Sequence, residues 1–178
     1  MSRTARPWHR GAVTATLLGL AALTSPAHAQ YADADRADWQ EDAVPPPPAY
    51  KTNRLIDIEM PRGASVRMGV DPDTIAINPQ TGIVRYVVVA RGPSAVNAFY
   101  EGIRCSTGEY RVYARQVQGG EWSPAEGEGW KSMVGQSSVM VQHPGRLARG
   151  GLCLGTGVRS SVTDAVRELR SGNRSLYY

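Results

Sequence analysis

Histidine and cysteine are scarce in this chain: three of the former and two of the latter in 178 residues. His9 and His28 lie in the amino-terminal stretch, so the rest of the chain holds His143 alone. A structural zinc site takes about four Cys or His ligands and a catalytic one about three protein ligands. His143 with two distant cysteines suffices for neither, and no metal is expected. Cys105 and Cys153 are also too far apart for a Cys-x-x-Cys redox motif. No Gly-x-Ser-x-Gly elbow presents a serine nucleophile. The glycines of GTGVRSS, after Cys153, lack the preceding strand and third glycine of a phosphate-binding fingerprint. Asp71-Pro72-Asp73 is spaced unlike a calcium loop and reads as a turn. No cofactor is expected.

Long apolar runs are missing too. The longest, Gly11 to Leu23, falls short of the roughly 17–25 residues a membrane span needs. It follows Arg3, Arg6 and Arg10 and precedes Ala27-His28-Ala29, a small-x-small cleavage pattern. Residues 1–29 are therefore expected to be a signal peptide, cleaved before Gln30. With no twin-arginine pair, export by the general secretory route to the periplasm is expected, with no membrane insertion after signal removal. Loss of the three arginines takes the 20 basic residues to 17 against 16 acids. The net charge falls from +4 to +1, which removes charge as a reason to expect nucleic acid. The tyrosines and arginines of YRVYAR then read as an ordinary mixed sheet face.

Two cysteines in an oxidising compartment predict one disulfide, Cys105–Cys153. Closing so long a loop stabilises by about 4 kcal/mol on the chain-entropy account.

Residues 30–52 read as an acidic and proline-rich tether. YADADRADWQED is mostly polar, and VPPPPAY favours a stiff polyproline II spacer. The segment is expected to be mostly solvated, with Trp39 the residue able to pack back. From residue 53 the pattern turns β. RLIDIEM, ASVRMGV, TIAI, GIVRYVVVA, VNAFYEGIRC, EYRVYARQV and EWSPA are strand candidates separated by Gly, Pro and Asn turns. Near the carboxyl end, Pro144-Gly145 is expected to interrupt any helix. SVTDAVRELRSG predicts a short helix capped by Ser161 and Asp164. The fold class is α+β: an antiparallel sheet of five to seven short strands with one or two C-terminal helices. A single domain is expected over 53–172, with a frayed tail at 173–178.

Trp39 and Glu41, then Gly82-Ile83-Val84-Arg85-Tyr86, Asn97, Tyr100-Glu101-Gly102-Ile103-Arg104-Cys105, Tyr110, Tyr113-Ala114, Trp122, Trp130 and Cys153 occur in a familiar order. With these residues the chain resembles the cryptic neisserial protein-like family of exported bacterial proteins. The resemblance covers roughly residues 39–172 and implies export and one domain. It implies no activity. The family's helical stretch and aromatic residue before the second cysteine are replaced here by His143-Pro144-Gly145 and Gly150-Gly151-Leu152.

Glu101 is the residue on which the functional expectations divide. In a strand it shares a face with Phe99, Ile103 and Cys105, so it is expected to be buried and paired, with Arg85 as the partner. His143, beside Pro144, is expected to be an exposed turn residue. No catalytic residue is assigned. The chain is expected to be a non-catalytic binding or structural module for a small ligand or an envelope protein. An envelope hydrolase using Glu101 as acid/base, with Glu109 flanking the same turn, is the competing class. An accessory subunit of an envelope complex, binding its partner through Trp122 and Trp130, is the third.

Overall fold

The computed structural model describes residues 38–138 and 141–172. The expected signal segment, its cleavage before Gln30, the first residues of the tether and the tail at 173–178 lie outside the described residues. In chain order the elements are β1 (Ile56–Ile58), β2 (Arg67–Val70), β3 (Ala76–Asn78), β4 (Ile83–Arg91), β5 (Val96–Arg104), β6 (Glu109–Val117), β7 (Trp122–Pro124) and β8 (Lys131–Ser132). They are followed by α1 (His143–Leu147), a π-helical turn (Ala148–Leu152), β9 (Cys153–Leu154), β10 (Gly157–Val158) and α2 (Val162–Gly172). The fold is α+β, antiparallel throughout the described pairings, as the turn spacing predicts. The main sheet has eight strands among the described residues, one above the expected range. Every candidate strand forms, and the two-residue β8 had no sequence signal of its own.

Three nine-residue strands make the centre of the sheet. β4 pairs with β5 from Ile83↔Arg104 to Arg91↔Val96, across the GPSA turn. Its continuous run of β-branched residues is buried almost end to end, as a strand covered on both faces requires. On the far side of β4, β3 and β2 lie one after the other along its length. Between them the chain makes a 3-10 turn at Pro72–Thr74. There Thr74 Oγ1 accepts the Val87 N–H at 2.9 Å and Asp71 N–H donates to the Val87 carbonyl at 3.1 Å, so the ladder continues across the break. β6 is flanked in the same manner, by β7 at one end and β8 at the other.

The sheet buries both faces. On the inner face Val84, Tyr86, Val88 and Ile103 pack against Leu147, Leu152 and Leu169 of the C-terminal helical segment. Each fully buried side chain of this kind stabilises by about 1.5–3 kcal/mol. On the outer face Val87, Val89, Ala98 and Tyr100 form a smaller core, covered in part by Tyr50 and Leu55 from the amino-terminal side. The Cys105–Cys153 disulfide forms, with Cα atoms 5.7 Å apart. It ties the end of β5 to β9, directly after the helical segment.

That segment departs from expectation. Pro144-Gly145 does not interrupt a helix; α1 begins at His143 with Pro144 in its first turn. The N–H that proline lacks would have no intrahelical partner there in any case. α2 forms as its cap predicts. Ser161 Oγ accepts the Asp164 N–H at 3.1 Å and donates to the Asp164 carboxylate at 2.9 Å. The side chain of α2 that is most completely buried is Ala165, with Leu169 beside it.

Candidate functional site

Cross-strand partners share a face of the sheet. The β4–β5 register sets Glu101 opposite Tyr86 and Arg85 opposite Gly102. Glu101 therefore points into the inner core with Ile103, as expected, while Arg85 points out through the other face. The Glu101–Arg85 ion pair does not form. Alternation along a strand shows which residues travel together but not which of the two faces each strand's set will share.

Glu101 is bonded instead to Tyr86 and His143. Tyr86 donates its hydroxyl to Glu101 Oε2 at 3.1 Å, and His143 Nε2 lies 2.8 Å from the same oxygen. His143 is not an exposed turn residue. At the head of α1 it turns inward and is 4% exposed; Glu101 is 1% and Tyr86 0% exposed. Burial, followed by the adjacent Glu101 carboxylate, pushes the Tyr86 hydroxyl well above its ordinary value and keeps it a donor. A carboxylate against an imidazole is a pair that could move a proton. Here both groups are buried. Neither Glu101 nor His143 lines any of three surface cavities that flank the helices among the described residues. The triad instead joins β4, β5 and α1 at the middle of the core. Glu109, the other carboxylate of the hydrolase expectation, lies beyond β5 and pairs with Arg104 at 3.8 Å.

The outer face carries a second polar assembly, built on the segment expected to be a tether. Residues 38–50 contain no helix or strand, yet they are strapped to the sheet. Asp42 takes both terminal nitrogens of Arg85 at 2.8 Å. Glu41 accepts from Arg111 Nη1 at 2.9 Å and from the Tyr113 hydroxyl at 2.6 Å. Trp39 donates its indole N–H to the Thr81 carbonyl at 3.0 Å, lies under the Arg104 guanidinium at 3.7 Å, and meets Trp130 edge-on. Beyond the prolines, Tyr50 donates to Gln116 and packs edge-on against Trp122. Trp39, Glu41, Asp42 and Tyr50 thus hold what composition alone marks as solvated. Trp122 and Trp130 are both half-buried against this strap, so neither forms an exposed apolar patch.

A bulge makes the outer assembly possible. Tyr100 faces Ala114 and Glu101 faces Val112, which leaves Tyr113 as the extra residue of β6. Its ring lies over Gly102, where an added Cβ would come within 2.5 Å of the hydroxyl. Only the missing side chain at 102 lets Tyr113 reach Glu41. The electrostatics follow from this packing. The hydrogen bonds from Arg85 hold the Asp42 carboxyl down at about 2, against an ordinary 3.8. Burial acts to lower Arg85, but the Asp42 hydrogen bond and the Tyr113 neighbour outweigh it and hold the guanidinium above its ordinary range. Burial and the Glu41 bond raise Tyr113 in turn.

Asp42 and His143 were missed as site residues by sequence reasoning, and Glu41 carried no role. His143-Pro144 at a helix start was the available signal for one, and the acids beside Trp39 for the others. Among the described residues no group of three His, Cys, Asp or Glu side chains is placed to hold a metal ion. No helix among them is long and apolar enough to cross a membrane.

A disulfide-stapled α+β domain with a sealed polar triad inside and an acidic strap outside is the class that fold and site define. Residues 34–170 match the CNP1-like family, and the chain belongs to that family. No curated protein and no solved structure matches the chain.

Proposed function

We propose that this protein is an exported, non-catalytic binding module of the bacterial envelope. The signal-like amino terminus, with its small-x-small pattern before Gln30, and the resemblance to a family of exported bacterial proteins support the periplasmic address. The disulfide fits an oxidising compartment. The observation that carries the non-catalytic part is the burial of Glu101, His143 and Tyr86. The best acid–base pair of the chain is spent on cohesion, out of reach of any substrate. Binding to an envelope complex through Trp122 and Trp130 has less support, because both rings are engaged within the chain.

Glu101→Gln distinguishes the module from the hydrolase. The exchange is expected to lower the urea midpoint, and neither it nor the parent protein should hydrolyse cell-wall glycan or ester probes. Turnover by the parent that Glu101→Gln abolishes, at an unchanged midpoint, would overturn the proposal.

A further inference from the structure

Of the three cavities beside the helices, one combines apolar walls with a cation and has no carboxylate in its lining. The cavity between α2 and the 3-10 turn holds Asp73. The one against β1 holds Asp57 and Glu59. The remaining cavity lies at the disulfide and measures ≈ 390 Å³, within the roughly 300–1,000 Å³ of small-molecule sites. The Cys105–Cys153 disulfide, Met133 and Ala148 give it an apolar surface. Val134 extends that surface to solvent; it is 81% exposed, the most exposed large apolar side chain among the described residues.

The cation is Arg149. Its guanidinium makes neither an ion pair nor a hydrogen bond among the described residues. This holds although the neighbouring cavity, which it also lines, contains Asp57 and Glu59. Its guanidinium lies beside Gly145. Gly145 lies inside α1 and does not have a positive φ, so the backbone there does not require glycine. Glycine within a helix costs about 1 kcal/mol relative to alanine. A Cβ at 145 would lie in ordinary contact, 3.4 Å from Arg149 Nη1 and 3.7 Å from the Met133 carbonyl oxygen, so the guanidinium and the Met133 backbone both lie close to this turn of α1. Most arginines of the sheet and of α2 are matched to acids, among them Arg85, Arg111, Arg115 and Arg167. Arg149 stands exposed and unmatched among the described residues, beside an apolar hollow.

Building on the binding-module reading, we propose that the disulfide cavity binds a small amphiphile with a single anionic headgroup, a free acyl or aryl acid. Arg149 takes the carboxylate by charge-assisted hydrogen bonds. The apolar body lies against the disulfide, Met133 and Val134, where its burial removes hydrocarbon from water. One guanidinium and no other lining charge select one negative charge over two. The same absence of carboxylates makes the cavity a poor host for cationic ligands.

Decanoate and its uncharged twin decanol, titrated calorimetrically into the full exported chain below their aggregation limits, test this. Decanoate is expected to bind saturably at one site, and more tightly than decanol. Arg149→Met should weaken decanoate by about tenfold, the factor one charge-assisted hydrogen bond supplies, and leave decanol unchanged. Val134→Asp should weaken both. Both side chains are exposed, so the urea midpoints should hold and keep the variants interpretable. Arg170→Met, in the cavity beside Asp73, should bind as the parent does. The proposal is overturned if the parent shows no saturable binding, or if Arg149→Met binds decanoate normally. It is also overturned if Arg149 proves necessary only for sedimentation with phosphatidylglycerol vesicles, which would make the surface a membrane contact. None of these outcomes touches the Glu101→Gln assay, so loss of this site leaves the non-catalytic proposal standing, and turnover in that assay would overturn the latter alone.

Discussion

The two faces of one sheet solve the burial of charge in opposite ways. On the inner face a single carboxylate is enclosed with two neutral-capable partners, Tyr86 and His143, and all three are cut off from water. On the outer face two acids and two arginines share a network with Tyr113, and Asp42 remains 35% exposed while Arg85 is nearly covered. An enclosed carboxylate has no substitute for a lost partner, whereas a half-exposed one can turn to solvent. The inner triad should therefore be stiff and unforgiving, and the outer network graded and sensitive to conditions.

The largest expected effect comes from breaking the inner triad. Glu101→Ala leaves the Tyr86 hydroxyl and His143 without their shared acceptor and should destabilise by about 3 kcal/mol in urea unfolding. His143→Ala should cost nearly as much, and the double variant clearly less than the two combined, with a coupling of about 1–3 kcal/mol. Strict additivity would show that the three side chains do not act as a unit.

Removing the outer hub should do less. Arg85→Met retains much of the buried stem but leaves Asp42 and Glu41 short of a partner. Asp42 can rehydrate, so the loss should be about 2 kcal/mol. Protease should then cut within residues 38–50 at a rate the parent resists. A loss matching Glu101→Ala would erase the distinction between the faces.

The smallest effect sharpens the comparison through pH. Asp42 has a folded-state value of about 2, below its ordinary 3.8. A depressed carboxylate contributes stability that is present in full above the unfolded value and disappears as pH falls through the folded one. The outer strap should thus lose its share between pH 3.8 and about 2. Asp42→Asn should flatten that part of the acid denaturation profile without altering the midpoint's slope above it. An identical profile in the variant would remove Asp42 from the account.

Most of the fold was legible because local chemistry agreed with it. Alternation marked β1, the β-branched run marked β4, and Ser161 with Asp164 marked the start of α2. The disulfide followed from cysteine count and the expected compartment. The site was legible only in halves. Burial of Glu101 followed from its alternation with Ile103, but its partner required register. Counting outward from the GPSA turn reaches Tyr86, not Arg85. The Tyr113 bulge has no glycine to announce it, and it decides where the outer network forms. The strap was legible in part: no residue of 38–50 is buried, and Trp39 packs back as expected. The ties of Glu41, Asp42 and Tyr50 were not foreseen, because acidity and prolines describe how a segment behaves alone. They do not report the arginines that a distant sheet presents to it.

The arrangement of short strands around long ones has a bearing on aggregation. The three nine-residue strands are the segments best able to template pairing with another chain, and none of them forms an outer edge. Among the described residues, the outermost strands are β1, β3 and β7, of three residues each, and β8, of two. Each interrupted stretch offers too few consecutive free N–H and carbonyl groups for a second sheet to continue the ladder. A β-rich domain is thereby protected from edge-to-edge growth by fragmentation of its own border.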